Sequence, residues 1–161
     1  MTDAMNDDQK YILEAIRLSR EHMQKGHGGP FGAIIVRDGK IIGRGWNQVT
    51  SVKDPTAHAE VVAIRDACKN IDDFTLAGST IYTSCEPCPM CLAAVYWARI
   101  DIIYYGNSRG DAAAIKFDDE FLYREMSVDI DKRAIPMTQL LRDEANKVFQ
   151  EWQTKADKVG Y

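Results

Sequence analysis

Residues 79–106 read STIYTSCEPCPMCLAAVYWARIDIIYYG, and this stretch decides the fold. Ser79 to Ser84 and Ile100 to Gly106 are rich in β-branched and aromatic residues, and each predicts a strand. Cys88 to Ala98 between them predicts a helix. Strand, helix and strand in that order make a βαβ unit, with parallel strands and a right-handed crossover. Upstream, Phe31 to Arg37 and Lys40 to Asn47 are strand-like runs joined by Asp38-Gly39, a strong hairpin signal. Asp7 to Lys25 predicts a helix, since Tyr11, Ile12, Ala15, Ile16, Ser19 and Met23 fall near one face and Gly26-His27-Gly28-Gly29-Pro30 stops it.

Asp54-Pro55-Thr56 predicts the start of another helix running to about Lys69, with Asp54 as N-cap and Pro55 at the first helical position. Asp119 to Met126 predicts a short helix and Gln139 to Lys155 a longer one. Alternating helices and strands around one antiparallel hairpin give an α/β fold: a three-layer α/β/α sandwich on a mixed central β-sheet. A chain of 161 residues is expected to form a single domain over 1–161 with a core of its own.

Composition narrows the function classes. Hydrophobic residues are 45% and charged residues 27%, average for a globular protein and wrong for disorder or a fibrous repeat. The net charge is −4, from 20 Lys+Arg and 24 Asp+Glu, and no Lys/Arg run exceeds two, so a nucleic-acid partner is disfavoured. Met1 to Lys10 is acidic and polar, unlike a targeting peptide, and the longest apolar run, Leu92 to Ala98, is too short to span a bilayer. These features predict a cytoplasmic protein with no membrane partner. In that reducing compartment the 4 cysteines are ligands, nucleophiles or core residues rather than disulfides.

Two short patterns concentrate the chemistry: His58-Ala59-Glu60 and Pro87-Cys88-Pro89-Met90-Cys91. Both together are roughly a one-in-two-thousand accident of this composition. Zinc takes thiolate and imidazole ligands tetrahedrally, and a catalytic site keeps a fourth position for water. His58, Cys88 and Cys91 supply three ligands. Cys88 and Cys91, three apart, share a helix face, and helix N-termini favour their thiolates. Zinc lowers the pKa of its water towards about 7, and Glu60 is then the proton shuttle. His58 and Glu60 are two apart, so both reach a metal only where they converge in a first helical turn. The competing reading is a closed structural site in which Cys85 joins His58, Cys88 and Cys91 as fourth ligand; such a site has no use for Glu60. Cys68 and Cys85 otherwise read as buried packing residues, and His22 and His27 as solvent-side.

H-x-E with P-C-x-x-C is the signature of zinc nucleobase deaminases. Asn47, Asp54-Pro55-Thr56-Ala57-His58-Ala59-Glu60 and Cys85-Glu86-Pro87-Cys88-Pro89-Met90-Cys91 resemble the cytidine-deaminase-like superfamily. Gly28 to Ala33, Tyr96 to Arg99, Phe117-Asp118-Asp119 and Tyr161 resemble its short bacterial guanine deaminases. The resemblance implies a sheet of about five strands. It implies one Zn2+ per subunit and hydrolysis of guanine to xanthine and ammonia, with attack at C2 by the zinc-activated hydroxide and Glu60 moving the proton. It further implies Asp119 as a second catalytic carboxylate, and Asn47, Phe31, Ala59, Trp97 and Tyr161 as substrate-binding positions. Of these, Asn47 contacts the purine, Phe31 stacks on it, and Trp97 and Tyr161 close the pocket. The partner implied is a second copy, in a homodimer whose C-terminal segments (about 139–161) are exchanged. A tRNA adenosine deaminase and a cytosine deaminase are the rivals within the superfamily, and a non-catalytic zinc scaffold the rival outside it.

Overall fold

The computed structural model describes residues 5–161; the part of the N-terminal reading that rests on residues 1–4 lies outside them. The chain forms two compact units, one ending at Asp119 and the other spanning Glu120–Tyr161.

In the first unit the elements run α1 (Asp7–Gln24), β1 (Gly32–Arg37), β2 (Lys40–Trp46), α2 (Val49–Val52), α3 (Ala59–Ile71), β3 (Thr80–Cys85), α4 (Pro89–Trp97), β4 (Ile102–Asn107) and α5 (Arg109–Ala114). The sheet order is β2-β1-β3-β4. β1 is antiparallel to both neighbours, and β3 and β4 are parallel, as the βαβ reading requires. The hairpin turn has the expected chemistry: Asp38 and Gly39 both take positive φ (52° and 69°), the pair of left-handed residues that a type I′ turn needs.

Period-2 alternation divides β1 and β3 between two cores. Ala33, Ile35 and Ile81 pack with Ala59, Ala63 and Ala67 of α3 and Val95 of α4. Ile34, Val36 and Tyr82 pack with Leu18, Tyr11 and Ile12 of α1. Strands covered on both faces read as near-continuous apolar runs, which is why Gly32–Val36 is buried throughout. The alanine face of α3 lies close to β2. A Cβ at Gly45 would stand 2.1 Å from Ala59 O, so only glycine lets the start of α3 approach.

The structure corrects the sequence reading at three places. The sheet has four strands rather than about five. Directly after β4, Ser108 and Asp111 form a reciprocal capping box that turns the chain into α5, and no strand follows among the described residues. Helix α3 starts at Ala59, not beside Asp54. Asp54 Oδ1 instead accepts hydrogen bonds from Thr56 N (2.8 Å) and Thr56 Oγ1 (2.7 Å), and the His58 N–H bonds Thr56 O (2.8 Å). That local turn competes with helix and delays it by four residues. Third, His22 and His27 are half-buried rather than solvent-side.

The second unit contains α6 (Glu120–Ser127), a 3-10 turn (Ile130–Lys132) and α7 (Arg142–Thr154). None of its residues is fully buried, and Leu140, Leu141, Phe149 and Tyr161 are each more than two-thirds exposed. No helix among the described residues is long and apolar enough to cross a membrane.

Gly45→Ala places a methyl against the first carbonyl of α3 and is expected to cost about 1–3 kcal/mol of stability. Chemical denaturation of the zinc-loaded variant measures that loss. Because the clash falls at Ala59, next to His58, zinc affinity falls with it.

Candidate metal centre and active site

The late start of α3 builds the site. His58 is the N-cap of α3, in extended conformation (φ −71°, ψ 155°), and Cys88 is the N-cap of α4 in a similar one (φ −64°, ψ 168°). Neither side chain makes a capping hydrogen bond, so both are free to turn towards a common point. Cys91 joins them from the first turn of α4, with Pro89 at its first position. His58 thus leaves the helix before helical geometry applies, and the two-residue spacing from Glu60 is no obstacle.

His58 Nδ1 lies 3.5 Å from Cys88 Sγ and 3.5 Å from Cys91 Sγ. A tetrahedral zinc with Zn–N near 2.0–2.1 Å and Zn–S near 2.3 Å puts its nitrogen and sulfur ligands about 3.5 Å apart. The spacing and the soft N/S/S donor set both fit one zinc ion per chain. In the protein alone, hydrogen bonding from Cys91 and then His58 lowers Cys88 to about 4 against the effect of burial. Its bond to Cys88, followed by burial, pushes Cys91 up. Cys88 is therefore a ready thiolate, and His58 is pushed up by its bond to Cys88.

Cys85 does not complete a four-ligand cage. Its thiol donates to Ser108 O at 3.7 Å, burial pushes it up to about 11, and the metal-ligand cluster among the described residues contains His58, Cys88 and Cys91 without it. The closed structural site is thereby excluded on geometry.

Glu60, at the second position of α3, is 6% exposed. Thr83 Oγ1 donates to its Oε1 at 3.4 Å, and burial raises its pKa. Thr83 was not singled out from the sequence. The signal was available, because Ile81, Thr83 and Cys85 share a face of β3 and a threonine there interrupts an apolar row. Ala59 is fully buried. Asn47, 6% exposed, follows β2, and Gln48 N bonds Ala57 O (2.9 Å), which sets this corner beside His58. Asn47 Oδ1 accepts from Gly29 N (3.2 Å) and Val49 N (3.3 Å), so its Nδ2 is the donor left for a ligand.

Phe31 joins the same corner. Its carbonyl accepts from Asn47 N (3.0 Å) and its ring meets Phe117 edge-on at 5.0 Å. Asp119 is half-buried; burial raises its carboxyl, and Cys88 raises it further, which couples it to the metal ligands. Trp97 is not near its own chain's ligands. It ends α4, roughly 13–14 Å along the helix from Cys88, and is 67% exposed. Tyr161 ends the second unit and is exposed.

A zinc-ligating triad at two helix starts, with a buried carboxylate beside it, defines a zinc hydrolase. Residues 5–107 match the cytidine and deoxycytidylate deaminase zinc-binding region, and the chain belongs to that family. It is 47% identical to guanine deaminase of Bacillus subtilis (strain 168), over 95% of this chain and 98% of that protein. The X-ray structure of guanine deaminase from Bacillus subtilis superimposes with a TM-score of 0.94, covering 98% of this chain and 99% of that one. A tRNA-specific adenosine deaminase of Buchnera aphidicola is 36% identical over 74% of this chain and 77% of its own length.

Replacing His58, Cys88 or Cys91 by alanine is expected to reduce zinc content from about one ion per chain to near zero, while Cys85→Ser leaves it unchanged. Metal analysis of the purified variants checks both outcomes.

Proposed function

We propose that the protein hydrolyses free guanine to xanthine and ammonia, in the cytoplasm. The observation that carries the reaction class is Glu60, a buried carboxyl whose pKa is raised, beside the His58–Cys88–Cys91 triangle. Guanine as substrate is supported by similarity to a guanine deaminase that continues through the Asp119 segment to cover 95% of the chain. The −4 net charge supports a small purine over an RNA stem, which needs a basic surface.

Zinc supplies Lewis-acid activation of water at neutral pH. Glu60 takes the proton from the water as its oxygen bonds to C2, and delivers it to the ring nitrogen. Glu60 then takes the second proton from the new C2 hydroxyl, and the amine receives it from Glu60 or by way of Asp119. As C2=O forms, the C2–N bond breaks and ammonia leaves. A carboxyl raised by burial suits both halves of this transfer, because its affinity for the proton lies nearer neutrality. Ala59 and the Phe31 ring border the base, and Asn47 Nδ2 donates to an acceptor on it.

The working unit in this proposal is a homodimer with residues 139–161 exchanged, Trp97 and Tyr161 serving the other subunit's site. The apolar side chains left exposed on the second unit, and Tyr96 and Trp97 on α4, support it.

Zinc-loaded protein is expected to release ammonia from guanine faster than from cytosine, cytidine or a tRNA anticodon arm. Glu60→Gln is expected to keep its zinc and lose about 10²–10⁴-fold in rate. Inosine formation in the RNA, with guanine inert, would overturn the substrate assignment. For the exchange, Glu60→Gln and Tyr161→Ala chains are co-expressed. Mixed dimers regain activity that neither parent has if Tyr161 acts across the dimer, and stay inactive if it acts within its own chain.

A further inference from the structure

Helix α1 ends in a Schellman motif. Lys25 is the C-cap, Gly26 takes φ +72°, Gly26 N bonds Met23 O (3.0 Å) and His27 N bonds His22 O (3.0 Å). The residues at the positions of His22 and His27 ordinarily meet there in an apolar contact. Here two imidazoles face each other with Nδ1 to Nδ1 at 2.8 Å. One nitrogen donates and the other accepts, so a single proton lies between them. The other face of His22 stacks flat on Trp46, with ring centroids 3.6 Å apart and planes 7° apart. Trp46 directly precedes Asn47.

The loop that His27 begins is also bound to Asn47. Gly28 passes so close that a Cβ would stand 2.4 Å from Asn47 Oδ1, and Gly29 N donates to that oxygen. Phe31 N bonds Gly29 O (2.9 Å), and Phe31 O accepts from Asn47 N. The loop is therefore clamped at both ends, by the histidine pair at its start and by Asn47 at its close. Asn47 in turn is held by the Gly29 and Val49 amides at its Oδ1, and it directly follows Trp46, whose ring stacks on His22.

We propose that His27, hydrogen-bonded to His22, is a positioning residue that sets the Asn47 carboxamide for the purine by fixing the 26–31 loop. This rests on the reading of Asn47 as a base contact. His27 touches neither the metal ligands nor Glu60, so its loss acts on binding of the base and not on the proton transfer.

The test is His27→Ala, with His27→Asn as the variant that returns a hydrogen-bonding atom near the Nδ1 position. The backbone bond from residue 27 to His22 O survives in both. His27→Ala is expected to raise KM for guanine about fivefold, the worth of one hydrogen bond, with kcat and zinc content unchanged. His27→Asn restores KM. Hydrogen exchange of the Gly29 and Val49 amides, the two donors to Asn47 Oδ1, speeds up in His27→Ala and returns in His27→Asn. An unchanged KM in zinc-loaded His27→Ala, or a fall in kcat with KM unchanged, overturns the proposal. Failure of the parent protein to turn over guanine would instead overturn the substrate reading, and the amide exchange then decides alone whether His27 orders Asn47.

Discussion

Everything in the site depends on two helices beginning at one place. α3 and α4 both present their first turns beside the end of β3, and each gives its N-cap position to a metal ligand. An N-cap is ordinarily Ser, Thr, Asp or Asn, and going without one costs about 1 kcal/mol per helix. Here His58 and Cys88 occupy those positions and turn their side chains to each other. The uncapped N–H groups keep a partial positive charge near the sulfurs, which favours thiolate and so favours zinc. A zinc held by His58, Cys88 and Cys91 would offset the local cost to the two helices and would join α3 to α4.

The burial of Glu60 separates a catalytic centre from a structural one. A carboxylate taken out of water is unfavourable unless it is paired or neutralised. Glu60 has a long bond from Thr83 and a raised pKa rather than a salt bridge. A zinc site that only held the fold together would be more stable without it. A group that must accept a proton and return it gains from that same environment.

Much of this was legible in the sequence, and the failures have physical causes. The βαβ unit, the Asp38-Gly39 hairpin and the ligand triad rest on local patterns with strong geometric consequences, and the structure reproduces them. The start of α3 was misplaced because Asp54-Pro55 fits both an N-cap and a side-chain-bonded turn, and the turn uses the same carboxylate. Helix α5 was missed although Ser108 and Asp111 spell a capping box, because the alanine-rich turn after it is too short to show periodicity. Thr83, Gly28 and Gly45 matter through contacts between segments distant in sequence, which composition and spacing do not encode. Trp97 shows the opposite limit: its place in a motif gives no position, and the structure puts it at the exposed end of α4.

The two units differ in how completely they fold on themselves. The first encloses two cores on either face of its sheet. The second orders 42 residues, from Glu120 to Tyr161, without burying one of them fully. Fixing a backbone costs about 1–2 kcal/mol per residue, and a segment whose best-covered apolar residues, Tyr123 and Val128, are only half-buried has little to set against that cost. Leu140, Leu141 and Phe149 are exposed residues that would supply it under a cover. In the proposed dimer a second copy of the chain would supply that cover, and Tyr96 of α4 is likewise exposed. The proposed exchange therefore answers a requirement of stability before one of catalysis. Closure of the pocket by an aromatic from the neighbouring chain would then be a use made of that proposed association.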